Sequence, residues 1–150
     1  MSPPAFTPTE LAVGIGRTLR QHPEVAAAWL FGSAVRGELR PDSDVDVGLV
    51  LAERRDTPEQ YHRVLGTIAA EIEQVTGGRL VDLVVLDPIR DPMFCHRVLS
   101  EGLLVHDADP DRRVDFESTA HVRYFDWLPT WSFAAPHALA GTRARMERRR

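Results

Sequence analysis

Apolar positions recur along this chain at two periods, and turn or capping residues separate the stretches. Leu11, Ile15 and Leu19 lie on one helical stripe, opened by the capping box Thr7-Pro8-Thr9-Glu10 and ended by Pro23. Residues 25–31 and 44–51 read as strands, joined by the polar, turn-rich segment 34–43. A second capping box, Thr57-Pro58-Glu59-Gln60, opens a helix whose stripe holds Tyr61, Val64, Leu65, Ile68, Ile72 and Val75 and stops at Gly77-Gly78. The apolar run 80–86, in which Asp82 is the only charge, predicts a strand buried on both faces. Asp91-Pro92 caps a helix ending at Gly102, residues 103–105 form a short strand, and Asp109-Pro110 starts a last helix running toward Leu128. There are no internal repeats. The order helix, strand, strand, helix, strand, helix, strand, helix predicts an α/β (α+β) fold, a small mixed sheet with helices packed on it.

Composition narrows this only a little. The 150 residues, 43% hydrophobic and 27% charged, suit a globular protein with a real core. We expect residues 1–128 to form one domain and residues 129–150 an aromatic and Arg-rich extension, partly disordered. No apolar run approaches the roughly 20 residues of a membrane span, and the N-terminus lacks the pattern of a signal peptide. The single cysteine, Cys95, rules out an internal disulfide and reads as a small buried hydrophobe, so a reducing cytoplasm is expected. A net charge of −4 argues against general nucleic-acid binding, apart from the basic run 143–150, which reads as a solvated tail.

The chemistry concentrates in Gly32-Ser33, ten intervening residues, and Asp44-Val45-Asp46. Side chains on a strand alternate, so Asp44 and Asp46 project together with Cα atoms about 6.5–7 Å apart, while Val45, Val47 and Leu49 face a core. Two carboxylates so close repel unless a cation lies between them, and Mg²⁺ prefers such oxygens together with phosphate. Gly32 allows a backbone to approach a phosphate without a Cβ, and Ser33 adds a hydroxyl beside a potential anion nest. Asp82, alone in an apolar strand, must pair, bind metal or stay protonated. If its strand adjoins that of Asp46, three carboxylates converge and could hold two ions. The remaining D-x-D pairs, Asp107/Asp109 and Asp109/Asp111, read as capping and surface residues. Chain-wide, the histidines show no metal-ligand spacing, and the absence of lysine excludes a P-loop.

The runs Gly32-Ser33-Ala34-Val35-Arg36-Gly37 and Pro41-Asp42-Ser43-Asp44-Val45-Asp46-Val47 resemble the signature of the polymerase-β-type nucleotidyltransferase superfamily, most closely its minimal nucleotidyltransferase (MNT) branch. Val81-Asp82-Leu83-Val84 resembles the segment bearing the third family carboxylate. The segment from Leu86 through Gly102-Leu103-Leu104-Val105 to Phe116-Glu117 and Tyr124-Phe125-Asp126 is similar to the MNT antitoxins of type VII toxin–antitoxin pairs. The resemblance covers roughly residues 9–128 and makes residues 1–128 a minimal nucleotidyltransferase domain. It implies ATP as substrate and two Mg²⁺ ions held by Asp44, Asp46 and Asp82. Gly32, Ser33 and Arg36 would bind the nucleotide. The implied partner is a HEPN-domain ribonuclease toxin, complexed with the antitoxin and silenced by transfer of AMP to a tyrosine.

Two other assignments stay open on the residues alone. A small-molecule transferase of the aminoglycoside-modifying type would need a further acidic wall, for which Glu38, Asp42 or the Asp107/Asp109/Asp111 group are the candidates. A non-catalytic antitoxin would act by occlusion through Phe125, Trp127, Trp131, Phe133 and the Arg tail. Those aromatics otherwise read as core.

Overall fold

The computed structural model describes the backbone of residues 5–52 and 57–147, with side chains through residue 129. It contains α1 (Pro8–Leu19), β1 (Val25–Phe31), α2 (Ser33–Arg36), β2 (Val45–Leu51), α3 (Pro58–Val75), β3 (Val81–Val85), α4 (Pro92–Glu101), β4 (Leu103–Asp107) and α5 (Pro110–Glu147). Every helix except α2 begins on a proline, which fixes φ where the missing N–H would have had no helical partner. Both expected capping boxes form. The Thr7 hydroxyl accepts from the Glu10 N–H at 3.2 Å while Glu10 accepts from the Thr7 N–H at 2.8 Å, and Thr57 and Gln60 repeat the exchange. Asp91 caps α4 by accepting from the Phe94 N–H at 3.0 Å.

The sheet runs in the order β3-β2-β1-β4. Its β1 strand pairs antiparallel with both β2 and β4, whereas β2 and β3 are parallel and joined by α3. Both faces are covered. On one, Val25, Leu30, Val45, Val47 and Leu49 pack against Leu11, Ile15 and Leu19 of α1 and Ile68 and Ile72 of α3. On the other, Trp29, Val50 and Leu86 pack against Cys95 and Val98 of α4 and Phe116 and Ala120 of α5. Trp29 meets Phe116 with ring centroids 5.7 Å apart. Each buried leucine or isoleucine contributes roughly 1.5–3 kcal/mol of transfer free energy, so the two clusters hold the strands in place.

Several expectations need correction. The strand carrying Asp82 is not buried on both faces, because β3 is an edge; Leu80 is 67% exposed and Asp82 is exposed too. Asp44 lies just ahead of β2, which starts at Val45. On the sheet face bearing Asp46, α4 and α5 pack over the part beyond Gly48. The final helix continues past Leu128 to Glu147, through Pro129 and Pro136. Phe125 is 61% exposed rather than core. The side chains of Trp131, Phe133 and the Arg tail lie outside the described residues. Among the described residues no helix is long and apolar enough to cross a membrane.

Candidate active site

At the end of β1 the chain turns sharply at Gly32, with φ +74° and ψ −147°, a conformation that essentially only glycine enters. Its carbonyl accepts from the N–H groups of Val35 at 3.2 Å and Arg36 at 3.4 Å, winding the single helical turn α2. A Cβ at position 32 would run into the Asp46 carboxylate oxygen, so glycine is what lets this turn pass over Asp46. Gly37, at φ +71° and ψ 17°, ends α2 in the left-handed region.

The following loop is tied down from two directions. Ser43 Oγ accepts from the Arg40 N–H at 3.0 Å. Arg79, only 6% exposed, donates to the carbonyl oxygens of Arg40 at 2.6 Å and Pro41 at 3.3 Å. The Val45 N–H then bonds the Leu80 carbonyl at 2.9 Å, so β2 and β3 enter the sheet together. This anchoring sets where Asp44 stands. Arg79 was invisible as a site-shaping residue in the sequence; its only signal was its place after Gly77-Gly78 at the head of a strand.

Asp46 is half-buried on β2, with Phe31 of β1 as register partner on one side and Asp82 of β3 on the other. In-register neighbours on adjacent strands lie about 4.8 Å apart and share a face, so Asp46 and Asp82 project together. Burial pushes the Asp46 carboxyl above its ordinary range, and the charges of Asp82 and Asp44 push it further; Arg36 opposes them. Asp82 and Asp44 therefore both act on Asp46. A cleft of about 450 Å³ opens beside Asp46, lined by Phe31, Gly32, Arg36, Asp46, Arg97 and Glu101; Ser33, Asp44 and Asp82 do not line it. Ser33 follows Gly32 as the first residue of α2. Arg36 Nε lies 3.1 Å from Glu38, both side chains half or more exposed. Arg97 and Glu101 come from α4, and no spacing in the sequence linked them to this cleft.

The donor set fits a hard divalent ion. Its oxygens are all carboxylate, and the raised carboxyl of Asp46 marks a place short of positive charge. Among the described residues no group of three or more acidic, His or Cys side chains is gathered closely enough to hold a metal ion by itself. Mg²⁺ usually takes one or two carboxylates plus phosphate oxygens of a substrate, so a bound nucleotide would have to supply the remaining ligands.

Other candidate groups do different work. Asp109 caps α5 through the Arg112 N–H at 3.0 Å, and Asp107 pairs with Arg113 at 2.9 Å. His106 is buried, bonds the Val25 carbonyl at 3.1 Å and is held below its usual pKa mainly by burial. His96 stacks on Tyr124 at 3.6 Å. Burial, then Asp91 and Asp87, push the Cys95 thiol up to about 12, so it stays an unreactive core residue.

A mixed sheet whose central strand ends in a glycine turn over paired strand carboxylates defines an α+β domain equipped for phosphate esters and hard cations. The family model described as "Polymerase beta, Nucleotidyltransferase" matches residues 14–111, well over half of the chain, and the chain belongs to that family of nucleotidyltransferases. No curated protein matches the sequence. The fold is similar to a crystal structure of a toxin–antitoxin with AMP-PNP. That likeness has a TM-score of 0.63 and 19% identity over 85% of this chain and 98% of the other. It is also similar to the MntA–HepT toxin–antitoxin, with a TM-score of 0.58 and 17% identity over 86% and 97% of the two chains. Identities this low speak for the fold alone.

Proposed function

We propose that this nucleotidyltransferase is an antitoxin of the MNT type, transferring AMP from ATP to a tyrosine hydroxyl of a HEPN toxin in the cytoplasm. The observation that carries the proposal is the register of Asp46 with Asp82 beneath the Gly32 turn. Asp44, Asp46 and Asp82 would hold Mg²⁺, which supplies charge neutralisation at the phosphates of the nucleotide. The Gly32 and Ser33 turn grips the outer phosphates, and Arg36 adds positive charge at the mouth of the cleft. The tyrosine oxygen attacks the α-phosphorus, a new P–O bond forms, and the bond to the β-phosphate oxygen breaks to release pyrophosphate. Asp82, exposed at the sheet edge, accepts the tyrosine proton. Residues 1–128 form the catalytic unit and residues 129–150 an extension available to the partner.

Support for a toxin partner and a nucleotide comes from the toxin–antitoxin structures that share the fold, one of them with AMP-PNP. The test is to incubate the protein with α-labelled ATP, Mg²⁺ and the product of the adjacent gene. Label should pass to a tyrosine of the partner. An Asp44→Asn/Asp46→Asn variant should lose transfer by a factor of at least about 1,000. Equal labelling by the double variant would refute the catalytic reading. Retained neutralisation without any labelling would point to occlusion instead.

A further inference from the structure

We infer that Arg97 of α4 is a second-wall contact for the outer phosphates of the nucleotide, facing the Gly32 turn across the cleft. This rests on the nucleotidyl-transfer reading and extends it to a residue outside the motif. The two cationic side chains lining the cleft differ in commitment. Arg36 is already paired with Glu38 at 3.1 Å. Arg97 forms no ion pair among the described residues; its guanidinium carbon lies 5.7 Å from the centre of the Phe94 ring.

That ring contact is what aims it. Phe94 packs edge-on against Phe31 with centroids 5.5 Å apart, and Phe31 is the last residue of β1, directly before Gly32. The series Phe31, Phe94, Arg97 therefore couples the guanidinium to the turn that would grip the phosphates. A guanidinium held over an aromatic face keeps its planar donor fork free, and that fork matches two phosphate oxygens at once. The acidic groups nearby, Asp46 and Glu101, line the same cleft. Asp46 is engaged with Mg²⁺ in this reading. Glu101, one turn beyond Arg97, competes with phosphate for the guanidinium and so tunes affinity for the nucleotide.

The experiment is a calorimetric titration of the full chain with ATP and with AMP, each with Mg²⁺. Arg97→Met should weaken ATP on the order of tenfold and leave AMP within about twofold, because AMP lacks the outer phosphates. Arg97→Lys should recover part of the loss, Phe94→Leu should weaken ATP several-fold with Arg97 intact, and Glu101→Gln should tighten ATP. ATP affinity unchanged in Arg97→Met, or ATP and AMP weakened alike, would overturn the assignment while leaving the nucleotidyl-transfer reading in place. Failure of the wild-type chain to bind ATP with Mg²⁺ would sink both.

Discussion

Replacing Gly32 with alanine separates a backbone's contribution to folding from its contribution to chemistry. At φ +74° and ψ −147° a Cβ costs about 1–3 kcal/mol in backbone strain. The added methyl also meets the Asp46 carboxylate, which must swing away from its place beside Asp82. Gly37 supplies the control. It too has positive φ, +71°, but a Cβ there meets nothing within 4 Å, so Gly37→Ala carries only the left-handed penalty of about 1–2 kcal/mol. Both variants should therefore melt a few degrees lower, about 2–4 °C per kcal/mol at this chain length. Only Gly32→Ala should lose AMP transfer, by about 100-fold, because about an ångström of displacement at the reacting groups has that effect. Thermal melts and labelled-nucleotide transfer, measured below both transitions, read the two quantities separately. If Gly32→Ala transfers AMP as fast as Gly37→Ala, the coupling between the turn and Asp46 is wrong.

Asp46→Asn should stabilise the metal-free protein at neutral pH. The folded state raises the carboxyl's pKa, so the fold binds more protons than the unfolded chain as pH climbs above about 4. Stability tied to this group is present below that point and lost as pH rises through the folded value, so the variant's advantage should vanish in acid. Denaturant titrations across pH 3–7.5 check this, and an advantage that grows toward acid would contradict it. Arg79→Met should remove charge-assisted bonds to the Arg40 and Pro41 carbonyls, destabilising the fold by about 2 kcal/mol. It should also raise the Mg²⁺ concentration needed for half-maximal transfer, through Asp44; an unchanged Mg²⁺ dependence would show that the loop holds Asp44 without Arg79.

Local signals carried much of the fold. The Thr7 and Thr57 capping boxes, the Asp91 cap and the glycines after α3 act over three or four residues, so short windows contain the whole interaction. The boundaries of β1 and α3 follow from the same kind of signal. The edge position of β3 was hidden, because an apolar run suits an edge strand packed on one face as well as a central one. The helix through Pro129 was hidden for a related reason: proline removes one backbone donor, and a long helix can continue around that loss.

What the chain determined by itself is the glycine turn after β1 and the place of Asp46 on β2, because positive φ and strand alternation are properties of a few consecutive residues. Tertiary structure alone decided that Asp82 stands in register with Asp46, that Arg79 holds the loop before Asp44, and that Arg97 and Glu101 wall the cleft. Those contacts join residues tens of positions apart, and burial of two apolar clusters on either side of the sheet, rather than any local propensity, brings them together.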